Sequence, residues 1–182
     1  MGPREAPRVW QRHILNCAVI SPAFAASQTV CDLGSGAGLP GIVLAVARPD
    51  LHLTLLEPLL RRATFLDEVV SSLALDNVVV RRGRAEELTR TDVFDVVTAR
   101  AVAPLEKLAR WALPLLGAGG ELIAIKGRAA TDEIAAARLG LAALGAGRVQ
   151  VETYGRGIVD PETTVVRIES GRTQPRAKGA RE

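Results

Sequence analysis

Two hydrophobic periods take turns along this chain. From residue 29 onward, short apolar runs that end in glycine or a charged residue are each followed by a segment with helical spacing. "TVCDL" (29–33) reads as a buried strand, and "PGIVLAVAR" (40–48) as a helix with Pro40 in its first turn, where a missing N–H costs nothing. "LHLTLLE" (51–57) is a second strand. "LLRRATFLDEVVSSLAL" (59–75) is a helix that places Phe65, Leu66, Val69, Val70 and Leu73 on one face, with Arg61, Arg62, Asp67 and Glu68 on the other. "NVVVRRG" (77–83) and "FDVVTARA" (94–101) are strands three and four. "APLEKLARWALPLL" is a helix that Pro114 ends or bends and "GAGG" stops. "GELIAIKG" (120–127) is strand five, and "TDEIAAARLGLAALGAG" is a helix with Thr131 as its N-cap. "RVQVETYG" and "TTVVRIE" alternate as strands, and "RGIVDPE" between them is short enough for a hairpin.

Repeated strand–helix units predict a parallel sheet covered on both faces, and the closing hairpin makes one of seven strands antiparallel. "RVWQRHILNCAVI" supplies a helix for a lead-in over residues 1–28, ahead of a single domain at 29–169.

Composition adds constraints. The chain has 182 residues, 48% hydrophobic and 3% aromatic, so one aliphatic core is expected. No run of about 18 apolar residues appears, the length a membrane-spanning helix needs, and the start lacks a secretion signal's apolar segment. A cytoplasmic location away from membranes is expected. Cys17 and Cys31 make neither a disulfide framework nor a metal site, and Cys31 reads as a small buried hydrophobe. The net charge of +3 is concentrated at the ends: Arg4, Arg8 and Arg12 against Glu5, and Arg172, Arg176, Lys178 and Arg181 against Glu182. Basic margins suit a polyanionic partner. The tail taken alone, residues 170–182, reads as soluble disorder.

The chemistry gathers where the strands end, since ligands of open α/β sheets bind at the carboxyl ends where strand order reverses. Strand one ends at Asp32 and runs into Gly34, Gly36 and Gly38; strand two ends at Glu57; Ala85 and Glu86 follow strand three; strand four ends at Arg100 and strand five at Lys126. Read as Gly36-x-Gly38-x-x-Gly41, the turn also matches the dinucleotide fingerprint, with Glu57 about where a ribose acid belongs. The glycine spacing therefore leaves two guests open, a dinucleotide and S-adenosylmethionine. The acids are expected to decide. With Asp32, Glu57 and Glu86 around one space, like charges at about 4–5 Å repel by several kcal/mol at an effective dielectric near 20, which disfavours a diphosphate and favours a sulfonium. The competing account makes Asp32 a cap of the next helix and Glu86 a solvated loop charge.

Methyl transfer is mainly positioning chemistry. After strand four there is no Asn or Asp followed by Pro-Pro and an aromatic, and no cysteine, which leaves an acceptor that already bears a lone pair, such as guanine N7. Arg100 and Lys126 sit at the strand ends facing that space and are expected to serve catalysis, holding phosphate or O6 or steadying the cofactor carboxylate, with His13 and Lys126 as expected RNA contacts; a structural ion pair is the competing explanation for Arg100 and Lys126. His13 and Asn16, three apart in "RHILN", either close over the cofactor or pack the lead-in. His52, in mid-strand, reads as structural. Trp10, Trp111 and Tyr154 are too scattered for a base-stacking platform.

"RHILNC", "VCDLGSGAGLPGIVLAVARPDLHLTLLEPLLRRATFL", "VVVRRGRAEEL", "VVTARAVAPLEKL" and "ELIAIKG", spanning roughly residues 12–127, together resemble the ribosomal RNA small-subunit methyltransferase G family, also called glucose-inhibited division protein B. The resemblance implies a Rossmann-like class I fold and an S-adenosylmethionine-dependent enzyme, with S-adenosylhomocysteine as product. It implies methylation of N7 of one guanine in 16S rRNA, in naked RNA or in a small-subunit precursor, by a monomer. Carried over by motif, cofactor contacts are expected at Gly34, Leu39, Ala85, Glu86 and Arg100. Loss of the family's activity is associated with low-level streptomycin resistance. A small-molecule methyltransferase, a dinucleotide-binding oxidoreductase and a silent cofactor-binding protein are the alternatives. The last arises because the family usually carries a longer helical segment before "RHILN", so this chain is expected to be short at its start.

Overall fold

The computed structural model describes residues 9–88 and 92–171. The residues that carry Arg4, Arg8 and the basic tail from Arg172 lie outside this range.

Seven strands form one sheet in the order β3-β2-β1-β4-β5-β7-β6. They are β1 (Thr29–Leu33), β2 (His52–Glu57), β3 (Val78–Arg82), β4 (Phe94–Arg100), β5 (Leu116–Lys126), β6 (Ala146–Tyr154) and β7 (Thr163–Ser170). All pairs are parallel except those of β7, which runs against both β5 and β6. Strand order reverses between β1 and β4, where the crossovers leave for opposite sides. The carboxyl ends of these two strands open the crevice in which ligands of such sheets sit.

Helices α2 (Gly41–Ala47), α3 (Leu60–Ser72), α4 (Leu105–Ala112) and α5 (Ala130–Ala143) cover the sheet. Two apolar clusters result, one per face. Leu105, Leu108, Leu122 and Ile168 lie in the first; Leu44, Leu53, Leu66 and Ile123 lie in the second. Central strands buried on both faces read as continuous apolar runs, which is why they are plain in the sequence. Cys31 is fully buried in β1, as expected of a small hydrophobe.

Four local expectations change. Of the apolar stripe of α3, Leu66 is buried, whereas Phe65 (45% exposed) and Leu73 (52%) are not. "GAGG" does not stop a helix: it bulges within β5, where Leu116 and Glu121 face Phe94 and Val96, and Gly119 takes φ +76°. Thr131 lies inside the first turn of α5, whose N-cap is Ala129 without a side-chain bond. His52 is the exposed first residue of β2 rather than mid-strand.

The lead-in is a π-helical turn, Trp10–Leu15, running into α1 (Asn16–Ala18) and a 3-10 turn, Ser21–Ala23. Arg48 fixes its far end, donating to the carbonyls of Ser21 and Phe24 at 2.9 Å each while holding Asp50 at 2.7 Å. Among the described residues, no helix is long and apolar enough to cross a membrane.

Candidate active site

The chain leaves β1 at Leu33 and turns back over the end of β2, with Gly34 and Ser35 both donating to the Leu56 carbonyl, at 2.8 and 3.2 Å. This path needs φ of +72°, +58° and +86° at Gly34, Gly36 and Gly38, where a side chain is strained. Gly41 is required for space: a Cβ there would meet Asp32 Oδ2 at 2.6 Å and press on Leu55.

That closeness explains Asp32. Its carboxylate is fully buried beneath the turn, and Oδ2 accepts the Gly41 N–H at 3.0 Å. Gly41 opens α2, so Asp32 is a helix cap and not a wall of the ligand cleft, contrary to the preferred sequence reading. Burial pushes its carboxyl up to about 7, against the bonds from Gly41 and Ser35 that favour the charged form.

Glu57 does reach the cleft. Oε2 accepts the Gly36 N–H at 2.9 Å and Oε1 the Leu59 N–H at 3.0 Å. Each oxygen keeps a further lone pair, so the group stays able to accept from a ligand hydroxyl. The cleft encloses about 930 Å³ and is lined by Gly34, Gly36, Leu39 and Glu57, with His13 and Arg100 on its far side. Gly38 does not line it; its place is packed against Ile42 and Leu66.

A narrower slot of about 140 Å³ continues from Gly34, Pro58 and Val102, bounded by Leu33, Leu56, Ala85, Glu86 and Trp111. It is mostly apolar, and its size suits a purine ring with Glu86 at its edge. Trp111, set aside as too scattered, is brought here by α4. The expected ring of three carboxylates is therefore not formed. Among the described residues, Glu57 is the carboxylate of the main cleft, and Arg61, Arg62 and Arg100 share it. Periodicity puts Arg61 and Arg62 on one face of α3 and Phe65 on the other, yet all three line this cleft at the start of the helix. Helical periodicity does not separate a cleft from a core when both lie beside one helix.

Arg100 turns toward the lead-in. Its guanidinium donates to the carbonyls of Arg12 (3.2 Å) and His13 (3.3 Å), contacts Cys17 Sγ at 3.3 Å, and meets His13 Nδ1 at 2.5 Å. Burial raises the Cys17 thiol, with Arg100 pulling the other way. Lys126 donates to the Ala103 carbonyl at 2.9 Å and to Glu133 Oε2 at 2.7 Å, with its side chain 10% exposed. The ion-pair reading thus describes its bonds, although Lys126 still borders open space.

That space is a second cavity of about 760 Å³, between the ends of β4 and β5 and the start of β7. It shares Arg100, Ala101 and Val102 with the cofactor cleft. Asn16 lines this cavity, while His13 lines the cleft. The pair is divided between two elements: His13 lies in the π-helical turn and Asn16 opens α1.

The site fits S-adenosylmethionine: an apolar slot for adenine, an acid for ribose hydroxyls, and a roomy cleft over the glycine turn. The profile of the rRNA small subunit methyltransferase G family matches residues 1–161. Ribosomal RNA small subunit methyltransferase G of Streptomyces avermitilis is 54% identical, over 100% of this chain and 79% of that protein. Its namesake from Thermobifida fusca is 58% identical over 92% of this chain and 71% of that one. Among solved structures, a SAM-dependent O-methyltransferase from Thermotoga maritima aligns with a TM-score of 0.67 at 15% identity, covering 94% of this chain and 71% of that one. The S-adenosylmethionine-dependent methyltransferase SibL aligns at 0.71 and 19%, covering 93% and 58%; at such identities the likeness is one of fold. Family profile and relatives together show that this chain, a methyltransferase whose methyl donor is S-adenosylmethionine, belongs to the rRNA small subunit methyltransferase G family.

Proposed function

We propose that this enzyme methylates N7 of a guanine in 16S rRNA, in the free RNA or in a small-subunit precursor, as a cytoplasmic monomer. The observation that carries the reading is the wall of Arg100, Ala101 and Val102 held in common by two cavities at the strand ends. One cavity suits the methyl donor and the other is large enough for a flipped-out base. When bound, S-adenosylmethionine supplies an electrophilic methyl on a sulfonium. The protein's part is to set an acceptor lone pair opposite it and to exclude water. Guanine N7 has such a lone pair and no proton to lose, so its methylation needs no general base.

In this reading Glu57 accepts from the ribose hydroxyls, and Gly34, Gly36 and Leu39 give the methionine part close backbone approach. Ala85 and Glu86 border the adenine. Gly38 shapes the turn without touching the ligand, and Asp32 holds the turn from below. Arg100 fixes the shared wall and seats His13 over the cleft, while Lys126 borders the acceptor side. Residues 29–169 form the methyltransferase domain, with residues 1–28 as its lead-in.

The test is transfer of tritiated methyl from S-adenosylmethionine to 16S rRNA and to small subunits from a strain lacking the endogenous activity, followed by chain cleavage at N7-methylguanosine. Label at a single guanine is expected. Label on small metabolites alone, or at another atom of the base, would refute the assignment.

A further inference from the structure

We propose that Glu162 reads the Watson–Crick edge of the acceptor guanine and thereby sets the base specificity of the reaction. The inference rests on the guanine-N7 reading above. Both cavities border Arg100, Ala101 and Val102; on the reading above the methyl passes where they adjoin, so N7 faces that junction. In a guanine the N1–H and the N2 amine lie across the purine from N7. A base seated with N7 at that wall presents both donors to the opposite side of the acceptor cavity.

That opposite side is the start of β7. In the sheet, β7 lies two places from β4, with β5 between them. At the usual strand spacing this is roughly 10 Å, room for a purine and a hydrogen bond at its far edge. Because β7 is antiparallel, its first residues stand at the edge where the parallel strands end: Thr164 pairs with Lys126. Glu162 precedes it and lines the cavity.

Among the described residues, two carboxylates border this cavity, Glu133 and Glu162, and they are differently engaged. Glu133 is tied to Lys126 at 2.7 Å, and that lysine is 10% exposed. Glu162 pairs at 3.1 Å with Arg156, whose side chain is 92% exposed. Exposed pairs of this kind are weak, so Glu162 can exchange its partner for a ligand. Bonds from Thr153 and Arg156 hold its carboxyl below the ordinary glutamate range, so it is charged and accepts only. Guanine is the base that offers two adjacent donors to such a group. Adenine would set a bare acceptor, N1, against it.

Charge adds a catalytic consequence. As the N7 lone pair forms the new N–C bond, the S–C bond breaks and its electrons stay on sulfur. The donor leaves as a neutral thioether, the purine takes the positive charge, and no proton moves. The N1–H and N2 amine become stronger donors as that charge develops. A carboxylate bonded to them therefore binds the transition state more tightly than the ground state.

The experiment compares 16S rRNA fragments carrying guanosine or inosine at the target position; inosine lacks the N2 amine. The wild-type enzyme is expected to methylate the inosine RNA roughly tenfold to a hundredfold more slowly. Glu162→Ala is expected to lose rate on guanosine by a similar factor and to narrow the gap between the two RNAs to about threefold or less. Calorimetry with S-adenosylhomocysteine should give wild-type affinity, since Glu162 lies outside the cofactor cleft. Where the alanine variant fails that check, Glu162→Gln decides: a narrowed gap supports the assignment and an unchanged one overturns it. Equal wild-type rates on both RNAs, or a full gap retained in Glu162→Ala, also overturn it. A wild-type enzyme that leaves guanine N7 unmethylated removes the underlying reading instead, before any variant is made.

Discussion

Arg100 Nη2, at the end of β4, meets His13 Nδ1, in the lead-in helix, at 2.5 Å across 87 residues of sequence. A guanidinium carries donors only, so Nδ1 must accept and the ring proton sits on Nε2. With the bonds to the Arg12 and His13 carbonyls, this contact fastens the lead-in to the wall that the two cavities share.

Arg100→Lys is therefore expected to behave as a loss. A lysine ammonium has no planar fork to serve two carbonyls and an imidazole together. Stability should fall by about 1–3 kcal/mol, measured by denaturant unfolding. Amide exchange in residues 10–18 should rise, and methyl transfer should drop more than tenfold while the sheet amides stay protected.

The glycine turn separates strain from crowding. At Gly36 an added Cβ finds open space, its nearest neighbour being the Gly34 carbonyl oxygen at 3.7 Å. Gly36→Ala should cost about 1–2 kcal/mol for its φ of +58°. It should also weaken S-adenosylhomocysteine binding, because the methyl enters the cleft. At Gly38 the Cβ would also meet Ile42 at 2.5 Å. Gly38→Ala should thus add an overpacking cost of about 1–3 kcal/mol and be the less stable of the two in parallel melts.

Asp32 gives a pH signature. Its carboxyl moves from 3.8 to about 7 on folding, so between these values the folded chain holds a proton that the unfolded chain has released. Stability from this group is full below pH 3.8 and declines as pH rises toward about 7. In Asp32→Asn, which keeps an oxygen for the Gly41 N–H but cannot ionise, the plot of Tm against pH should be flatter across this window. An unchanged slope would mean that Asp32 does not carry the effect.

The Lys126–Glu133 pair separates scaffold from chemistry. Lys126→Met strands Glu133 and the Ala103 carbonyl and should destabilise the fold. The double change with Glu133→Leu should recover most of that loss, since an apolar pair can replace an ion pair of similar volume. If Lys126 also serves the acceptor cavity, methyl transfer to rRNA stays low in the double variant despite the regained Tm. Full activity there would make the lysine a strut alone.

Where the sequence was legible, one local rule sufficed. Strands β1 to β4 are apolar runs closed by glycine or charge, and their predicted bounds fall within a residue or two of the observed ones. The glycine turn, Glu57 and the Ala85–Glu86 edge were placed by the rule that ligands sit at strand ends. The three-acid argument led to the correct methyl donor through a premise the structure does not keep, since Asp32 lies under the turn. Its depth depends on how closely Gly41 packs, which no spacing records. The Arg100–His13 contact depends on how the lead-in packs on the sheet, and the sharing of one cavity by Glu162 and Lys126 depends on strand order; a single sequence displays neither. Phe65 shares an apolar helical face with buried Leu66 yet lines the cleft, because one helix face can border both packed interior and open cleft.

The reversed direction of β7 has a consequence for how such an enzyme can change. The chain departs from the reactive rim at Tyr154 and re-enters it at Thr163, leaving residues 155–162 as a tether anchored at both ends. A tether of this kind can lengthen or shorten at an entropic cost that grows only with the logarithm of its length. The cleft over the glycine turn and its narrow slot lie beside the ends of β1, β2 and β3, and meet the acceptor-side cavity only at the end of β4. Selectivity for what receives the methyl can thus drift while the machinery that delivers it stays fixed.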